Sequence, residues 1–110
     1  MDAVKILVVD DEARMRKLVK DFLSIKGYRV MEAENGEDAV EKFMANRDIK
    51  LILLDVMMPK MDGWETLRII RETSNVPIIM LTARSEERDE LQGFSLGVDE
   101  YITKPFSPKI

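Results

Sequence analysis

Residues 51–55, Leu-Ile-Leu-Leu-Asp, place four unbroken apolar side chains directly before a carboxylate. Apolar runs of this length are typical of parallel strands that are covered on both faces of a sheet. Two similar runs cover residues 6–9 and 78–81, and a weaker one covers residues 101–102. Residues 28–33 alternate in polarity, which predicts a more exposed edge strand. The sequence therefore predicts five strands.

Amphipathic helices are predicted between these strands. Apolar residues recur there at spacings of three and four, as on one face of a helix. The stripes are Met15, Leu18, Val19, Phe22 and Leu23; Ala39, Val40, Phe43 and Met44; Trp64, Leu67 and Ile70; and Leu91 and Phe94. We interpret them as core or ordinary surface rather than a cofactor site, and Gly27 ends the first helix. The alternation predicts an α/β fold with one parallel, doubly wound sheet.

The composition fits one domain and excludes several functions. The chain has 110 residues, a net charge of −4, and neither cysteine nor histidine. The acidic excess argues against a nucleic-acid surface, which needs clustered Lys and Arg. Without Cys or His there can be no disulfide, thiolate metal site or phosphohistidine within the chain. No segment approaches the ~20 apolar residues of a membrane span, and the N-terminus lacks a signal-peptide pattern, so we expect a cytoplasmic protein.

Five polar residues follow the predicted strands at their carboxyl ends. They are Asp10, Asp11, Asp55, Thr82 and Lys104. In open α/β sheets, ligands bind at this edge. Three neighbouring carboxylates repel one another, and oxygen-only ligands favour Mg²⁺ over zinc as the cation that relieves the repulsion. A carboxylate can then act as the nucleophile towards a phosphoryl group, whose oxygens the Lys and the hydroxyl can bind.

Each of the five residues also has an ordinary structural explanation. The acidic pair after the first strand can cap the next helix, and Asp55 can open a turn. Thr82 can cap the helix that follows it, and Lys104 can be a solvated charge. For each residue considered alone, the structural explanation is at least as good as the functional one. Together they do not explain why all five residues lie at strand ends, and capping does not call for a lysine.

Four blocks of sequence resemble the receiver domain of bacterial two-component response regulators. They are ILVVDDE at residues 6–12, LDVMMPKMDG at 54–63, LTAR at 81–84 and GVDEYITKPF at 97–106. The second and fourth are most similar to receivers joined to winged-helix DNA-binding domains. The resemblance implies a flavodoxin-like sheet of order 2-1-3-4-5, which is the order of chemotaxis receivers and which the apolar runs do not themselves predict.

The resemblance also implies the chemistry of the strand ends. Asp55 matches the phosphoacceptor. Asp10 and Asp11 match the acidic pair that holds Mg²⁺ together with Asp55, and the backbone carbonyl of Met57 matches a further metal ligand. Lys104 matches the lysine that pairs with the phosphoryl group.

A switch is implied by the same resemblance. Thr82 matches the hydroxyl that moves onto the phosphoryl group, and Tyr101 matches the aromatic residue that turns inward as Thr82 moves. Met57 and Arg84 occupy variable positions beside the site, where they would tune hydrolysis by limiting the access of water.

The implied function is a phosphoacceptor switch that receives a phosphoryl group from the phosphohistidine of a sensor histidine kinase. The chain would be a regulatory domain rather than an enzyme, although it would catalyse its own phosphorylation and dephosphorylation. The modification would change the surface of the fourth helix, fifth strand and fifth helix, which is also the expected homodimer interface. The expected output is control of an effector, through transcription. DNA would be contacted only through a further domain, and no membrane is expected.

The end of the chain departs from the family pattern. Ser107 and Pro108 predict the start of a fifth helix. Only residues 107–110 of it are present, so we expect one domain over residues 1–110 whose last helix is truncated or missing. Apolar sheet surface would then be exposed unless another subunit covers it.

Three other functions compete with the switch. A phosphohydrolase with an Asp nucleophile needs a second Asp two residues on, where this chain has Met57. A nucleotide- or flavin-binding module needs a Gly-rich phosphate loop, and none follows the first strand. A purely structural interaction domain would not bind Mg²⁺.

Overall fold

The computed structural model describes residues 3–55, 61–82 and 100–103, and gives only the backbone of Thr82 and of residues 100–103. The elements in chain order are β1 (Lys5–Val9), α1 (Ala13–Ile25), β2 (Arg29–Ala33), α2 (Gly36–Ala45), β3 (Leu51–Asp55), α3 (Gly63–Arg71), β4 (Ile78–Thr82) and β5 (Glu100–Thr103). The predicted fourth helix, around Leu91 and Phe94, and the predicted start of a fifth helix at Ser107 lie outside the described residues. None of the described helices is long and apolar enough to cross a membrane.

The five strands within the described residues pair in parallel, in the order β2-β1-β3-β4-β5. This confirms the flavodoxin-like α/β fold and the strand order that the sequence resemblance implied. β2 lies at one edge of the sheet, as its alternating pattern predicted. It begins at Arg29 rather than at Tyr28, because the Tyr28 N–H closes the preceding helix by donating to the Leu23 carbonyl at 3.1 Å.

The two faces of the sheet are covered unequally. On one face, the side chains of β3 and β4 are fully buried under α2 and α3. These side chains are Ile52, Leu54, Ile78 and Met80, each 0% exposed. On the other face, under α1, Leu51 and Leu53 are only partly buried, although they pack against Val19 and its neighbours. The unbroken run at residues 51–54 therefore reflects a strand with an apolar layer on both sides.

The apolar stripe of each of these helices is wider than the part of the helix that packs against the sheet. Val19 in α1 and Ala39 and Phe43 in α2 lie at the centres of their stripes and are buried. Leu18 is 43% exposed and Met44 is 39% exposed, because they lie on the flanks of the same stripes. Membership of a stripe thus predicted which side of the helix faces the sheet, and only the central residues enter the core.

Gly27 ends α1, as predicted. Its φ is 96°, a left-handed conformation that costs other residues roughly 1–2 kcal/mol. The Gly27 N–H donates to the Ser24 carbonyl at 3.0 Å and the Tyr28 N–H to the Leu23 carbonyl at 3.1 Å. This is the Schellman arrangement, which satisfies the last carbonyls of the helix and directs the chain into β2.

Gly36 lies where the start of α2 packs against the start of α3. A Cβ at this position would lie 2.1 Å from Thr66 Oγ1 and 2.7 Å from the carbonyl oxygen of Met61. The Thr66 hydroxyl is fully buried and donates to the Asp62 carbonyl at 2.8 Å. The two helices can approach this closely only because residue 36 has no side chain. The contact fixes the chain where it enters α3.

Candidate functional site

The carboxyl ends of three neighbouring strands meet at one edge of the sheet. Val9, the last residue of β1, pairs with Leu54, so Asp10 directly follows β1 beside the end of β3. Asp55 is the last residue of β3 and pairs with Leu81. Thr82 then ends β4. The backbone therefore brings Asp10, Asp55 and Thr82 to the same edge, as expected for parallel strands.

Asp10, Asp11 and Asp55 form a compact acidic cluster at this edge. Each residue offers a carboxylate oxygen, and these oxygens all lie within 4.8 Å of one another. Asp10 is 0% exposed and Asp55 is 4% exposed, whereas Asp11 lies in solvent. Carboxylates this close repel one another, and burial of two of them strengthens the repulsion. A divalent cation bound by all three would relieve it.

The type of ligand decides which cation fits. The three residues offer only carboxylate oxygens, which are hard ligands suited to Mg²⁺ or Ca²⁺ rather than to zinc. Mg²⁺ is commonly held by one or two carboxylates while it keeps several waters. The exposed Asp11 leaves one side of the cluster open to water. The residues present therefore fit a Mg²⁺ ion.

Asp10 is held by its backbone as well as by its side chain. Its N–H donates to the Ala33 carbonyl of β2 at 3.1 Å, and its Oδ1 accepts from the Glu12 N–H at 2.9 Å. Its carbonyl accepts from Arg16 Nη1 at 2.6 Å. The capping explanation for the acidic pair is therefore wrong in its simple form. The N-cap of α1 is Glu12, and neither aspartate occupies that position.

Arg16 is a residue of this region that the sequence did not single out. It lies on the first turns of α1, and its side chain is only 16% exposed. Besides the Asp10 carbonyl, it binds the side chain of Glu32 in β2, with Nε 3.2 Å from Oε1. The guanidinium thus joins the carboxyl end of β1 to the edge strand.

Five residues with predicted roles either lie outside the described residues or are described only by their backbone. Met57, Arg84 and Lys104 are among the residues that are not described. Thr82 and Tyr101 are described by their backbone, and Tyr101 in β5 pairs with Met80 in β4. The roles expected of these five residues stay predictions.

Comparison with known proteins identifies the family. The family model described as the response regulator receiver domain matches residues 6–109. This chain belongs to that family. The match contains all four blocks of sequence on which the resemblance rested, so the predicted resemblance is confirmed. The receiver is a signalling domain.

Relatives of this receiver are named as regulators of transcription. It is 57% identical over 106 residues to the transcriptional regulatory protein ResD of Bacillus subtilis. The aligned region covers 96% of this chain and 43% of ResD. It is 48% identical over 105 residues to the transcriptional regulatory protein SrrA of Staphylococcus aureus, covering 96% of this chain and 43% of SrrA. The chain therefore spans less than half of the length of these relatives.

Solved structures of receivers have the same fold. The chemotaxis protein CheY4 of Vibrio cholerae superposes with a TM-score of 0.91 at 33% identity, covering 96% of this chain and 89% of CheY4. The N-terminal domain of a response regulator receiver protein from Methanoculleus marisnigri superposes with a TM-score of 0.83 at 38% identity, covering 92% of this chain and 84% of that domain. These likenesses agree with the strand order of the sheet.

Proposed function

We propose that this receiver is a phosphoacceptor switch in which Asp55 accepts a phosphoryl group in a Mg²⁺-dependent reaction. The observation that carries the proposal is the acidic cluster, in which oxygens of Asp10, Asp11 and Asp55 lie within 4.8 Å of one another. Membership of the receiver family supports the same function. The phosphodonor is the phosphohistidine of a sensor histidine kinase, as expected for a member of the receiver family.

The three aspartates would hold the Mg²⁺ ion, with the backbone carbonyl of Met57 as a further ligand. When bound, the ion supplies positive charge to the phosphoryl oxygens, so that an anionic donor can approach an anionic nucleophile. Asp55 is 4% exposed, which limits its contact with bulk water. Asp10 is buried beside it, and the exposed Asp11 lies towards the solvent from which the ion and the donor arrive.

The transfer itself is a displacement at phosphorus. A carboxylate oxygen of Asp55 forms a bond to phosphorus while the P–N bond of the phosphohistidine breaks. The electron pair of that bond stays on the nitrogen that carried the phosphorus, and the proton already on the other ring nitrogen makes the departing imidazole neutral. The product is an acyl phosphate on Asp55. Hydrolysis resets the switch. A water oxygen forms a bond to phosphorus, the bond between phosphorus and the Asp55 oxygen breaks with its electron pair left on the carboxylate, and inorganic phosphate leaves with the protons of the water. Met57 and Arg84 are proposed to set how easily this water enters.

The new charge on Asp55 is then converted into a change of surface. Lys104 pairs with the phosphoryl oxygens, and the Thr82 hydroxyl donates a hydrogen bond to them. Tyr101 fills the space that Thr82 leaves, which alters the surface around β5 and the segments on either side of it. The same surface is the proposed homodimer interface. Control of transcription, through a DNA-binding domain beyond this chain, is supported by the relatives that are named as transcriptional regulators.

Titration with Mg²⁺ tests the metal part of this proposal. Isothermal titration calorimetry of the wild-type chain should show one binding site. Binding should raise the free energy of unfolding by about 2.7 kcal/mol when free Mg²⁺ is a hundred times its Kd. Asp10→Asn and Asp11→Asn should each weaken binding at least about tenfold, because a charged ligand becomes a neutral one.

Asp62→Asn is the matched control for these variants. Asp62 is an exposed aspartate that caps α3 by accepting from the Glu65 N–H at 3.0 Å, and Asn caps a helix equally well. We expect Mg²⁺ binding by this variant to equal that of the wild type. A wild-type chain that binds no Mg²⁺ would favour the purely structural interaction domain instead.

A further inference from the structure

Arg16 connects the acidic cluster to the edge of the sheet through two hydrogen bonds. Its Nη1 donates to the carbonyl oxygen of Asp10 at 2.6 Å, and its Nε donates to Glu32 Oε1 at 3.2 Å. Glu32 is held in turn by two lysines. Lys42 Nζ donates to its backbone carbonyl, and Lys20 Nζ lies 3.6 Å from Oε2. The guanidinium is therefore fixed on both sides rather than free in solvent.

The carbonyl that Arg16 binds belongs to the peptide between Asp10 and Asp11. The torsions ψ of Asp10 and φ of Asp11, on either side of this peptide, set the direction of the Asp11 Cα–Cβ bond relative to Asp10. Asp10 is additionally restrained by its N–H and its side chain, which bond to Ala33 and Glu12. Asp11 is exposed, with little packing to fix it. The direction of its carboxylate thus depends on how its backbone is held.

We propose that Arg16 is a positioning residue for the divalent-cation site. By holding the Asp10–Asp11 peptide, it aims the Asp11 carboxylate at Asp10 and Asp55 without touching the ion. The inference rests on the proposed function, because it requires that the acidic cluster binds Mg²⁺. Residues that orient metal ligands in this way typically change metal affinity by 10- to 100-fold when they are replaced.

The charge of Arg16 and its positioning role predict opposite effects on Mg²⁺ affinity. A guanidinium repels a divalent cation nearby, so removal of the charge alone would tighten Mg²⁺ binding. Loss of the hydrogen bond to the Asp10 carbonyl would weaken binding, because Asp11 would no longer be aimed at the other two carboxylates. The sign of the change therefore separates the two effects.

The experiment measures Mg²⁺ affinity by calorimetry in Arg16→Gln and Arg16→Lys. We expect both variants to bind roughly tenfold more weakly than the wild type. Lysine keeps the charge but lacks the planar group that can donate to the Asp10 carbonyl and to Glu32 together. The matched control is Lys17→Gln, which removes a positive charge from the same helix at an exposed side chain that pairs with Asp21 at 2.8 Å. It should bind Mg²⁺ as tightly as the wild type or slightly more tightly.

The outcomes separate this inference from the proposed function. A wild-type chain that binds no Mg²⁺ overturns both. If the wild type binds Mg²⁺ and Arg16→Gln binds it equally or more tightly, the positioning role is overturned alone. Circular dichroism in EDTA verifies that each variant is folded. If Arg16→Gln does not fold, Arg16→Lys decides, since unchanged affinity in that variant contradicts positioning.

Discussion

Replacing Asp55 by Asn is expected to abolish the acceptance of a phosphoryl group from acetyl phosphate in the presence of Mg²⁺. The amide has the shape of the carboxylate but lacks its nucleophilic anionic oxygen, and it contributes no charge to the metal site. Intact-mass spectrometry measures the effect directly. The wild-type chain should gain one phosphoryl group, and Asp55→Asn should gain none over the same time.

Two comparisons make this loss interpretable. Asp62→Asn, whose aspartate caps α3, should be phosphorylated like the wild type. Asp10→Asn should be phosphorylated much more slowly at low Mg²⁺, because the nucleophile remains while a metal ligand is lost. Phosphorylation of Asp55→Asn at the wild-type rate would refute the assignment of the acceptor. Multiple turnover of a simple phosphomonoester by the wild type would instead support the competing phosphohydrolase.

Gly36→Ala is expected to destabilise the fold by about 3 kcal/mol, the upper part of the range for forcing extra atoms into a packed contact. The added Cβ would lie 2.1 Å from Thr66 Oγ1 and 2.7 Å from the Met61 carbonyl oxygen. One of these neighbours is backbone, so α2 and α3 must move apart. Helix propensity alone predicts the opposite sign, a gain of up to about 1 kcal/mol. Urea denaturation monitored by circular dichroism measures the change in the free energy of unfolding.

Gly27→Ala is the control for this prediction. Nothing lies within 4 Å of a Cβ at Gly27, so its cost comes from the positive φ alone and should be about 1–2 kcal/mol. Thr66→Ala in the Gly36→Ala background should recover part of the lost stability, because it removes the closest atom. A Gly36→Ala chain at least as stable as the wild type would contradict the close contact between the helices.

The sequence predicted the strands well because both faces of the sheet bear apolar layers. Residues 51–55 and 78–82 are unbroken apolar runs with a polar residue at the end, and each forms a strand with those features. The alternating run at residues 28–33 contains the edge strand β2. The order of the strands came only from the family resemblance, because hydrophobic periodicity reports which face is buried and not which strand is the neighbour.

The site was predicted only in part. Asp10, Asp11 and Asp55 could be placed at one edge from the sequence, because parallel strands end there. That they are close to one another followed from the strand order that the resemblance implied. The role of Arg16 could not be predicted, because its contact with the Asp10 carbonyl depends on where α1 lies over that edge. Its position beside Met15 and three residues before Val19 was the available signal, since it places Arg16 near the covered face. The role of Gly36 could not be predicted, because its contact with α3 joins segments that are distant in sequence.

The most direct test of the central claim is to locate the phosphoryl group on the wild-type chain after incubation with acetyl phosphate and Mg²⁺. Borohydride reduction converts an aspartyl phosphate to homoserine, which survives digestion. Cleavage at Lys50 and Lys60 releases residues 51–60, in which Asp55 is the sole acidic residue and no hydroxyl residue occurs. We predict homoserine in this peptide alone, and none when EDTA replaces Mg²⁺. Homoserine in another peptide, or none in the presence of Mg²⁺, would contradict the account.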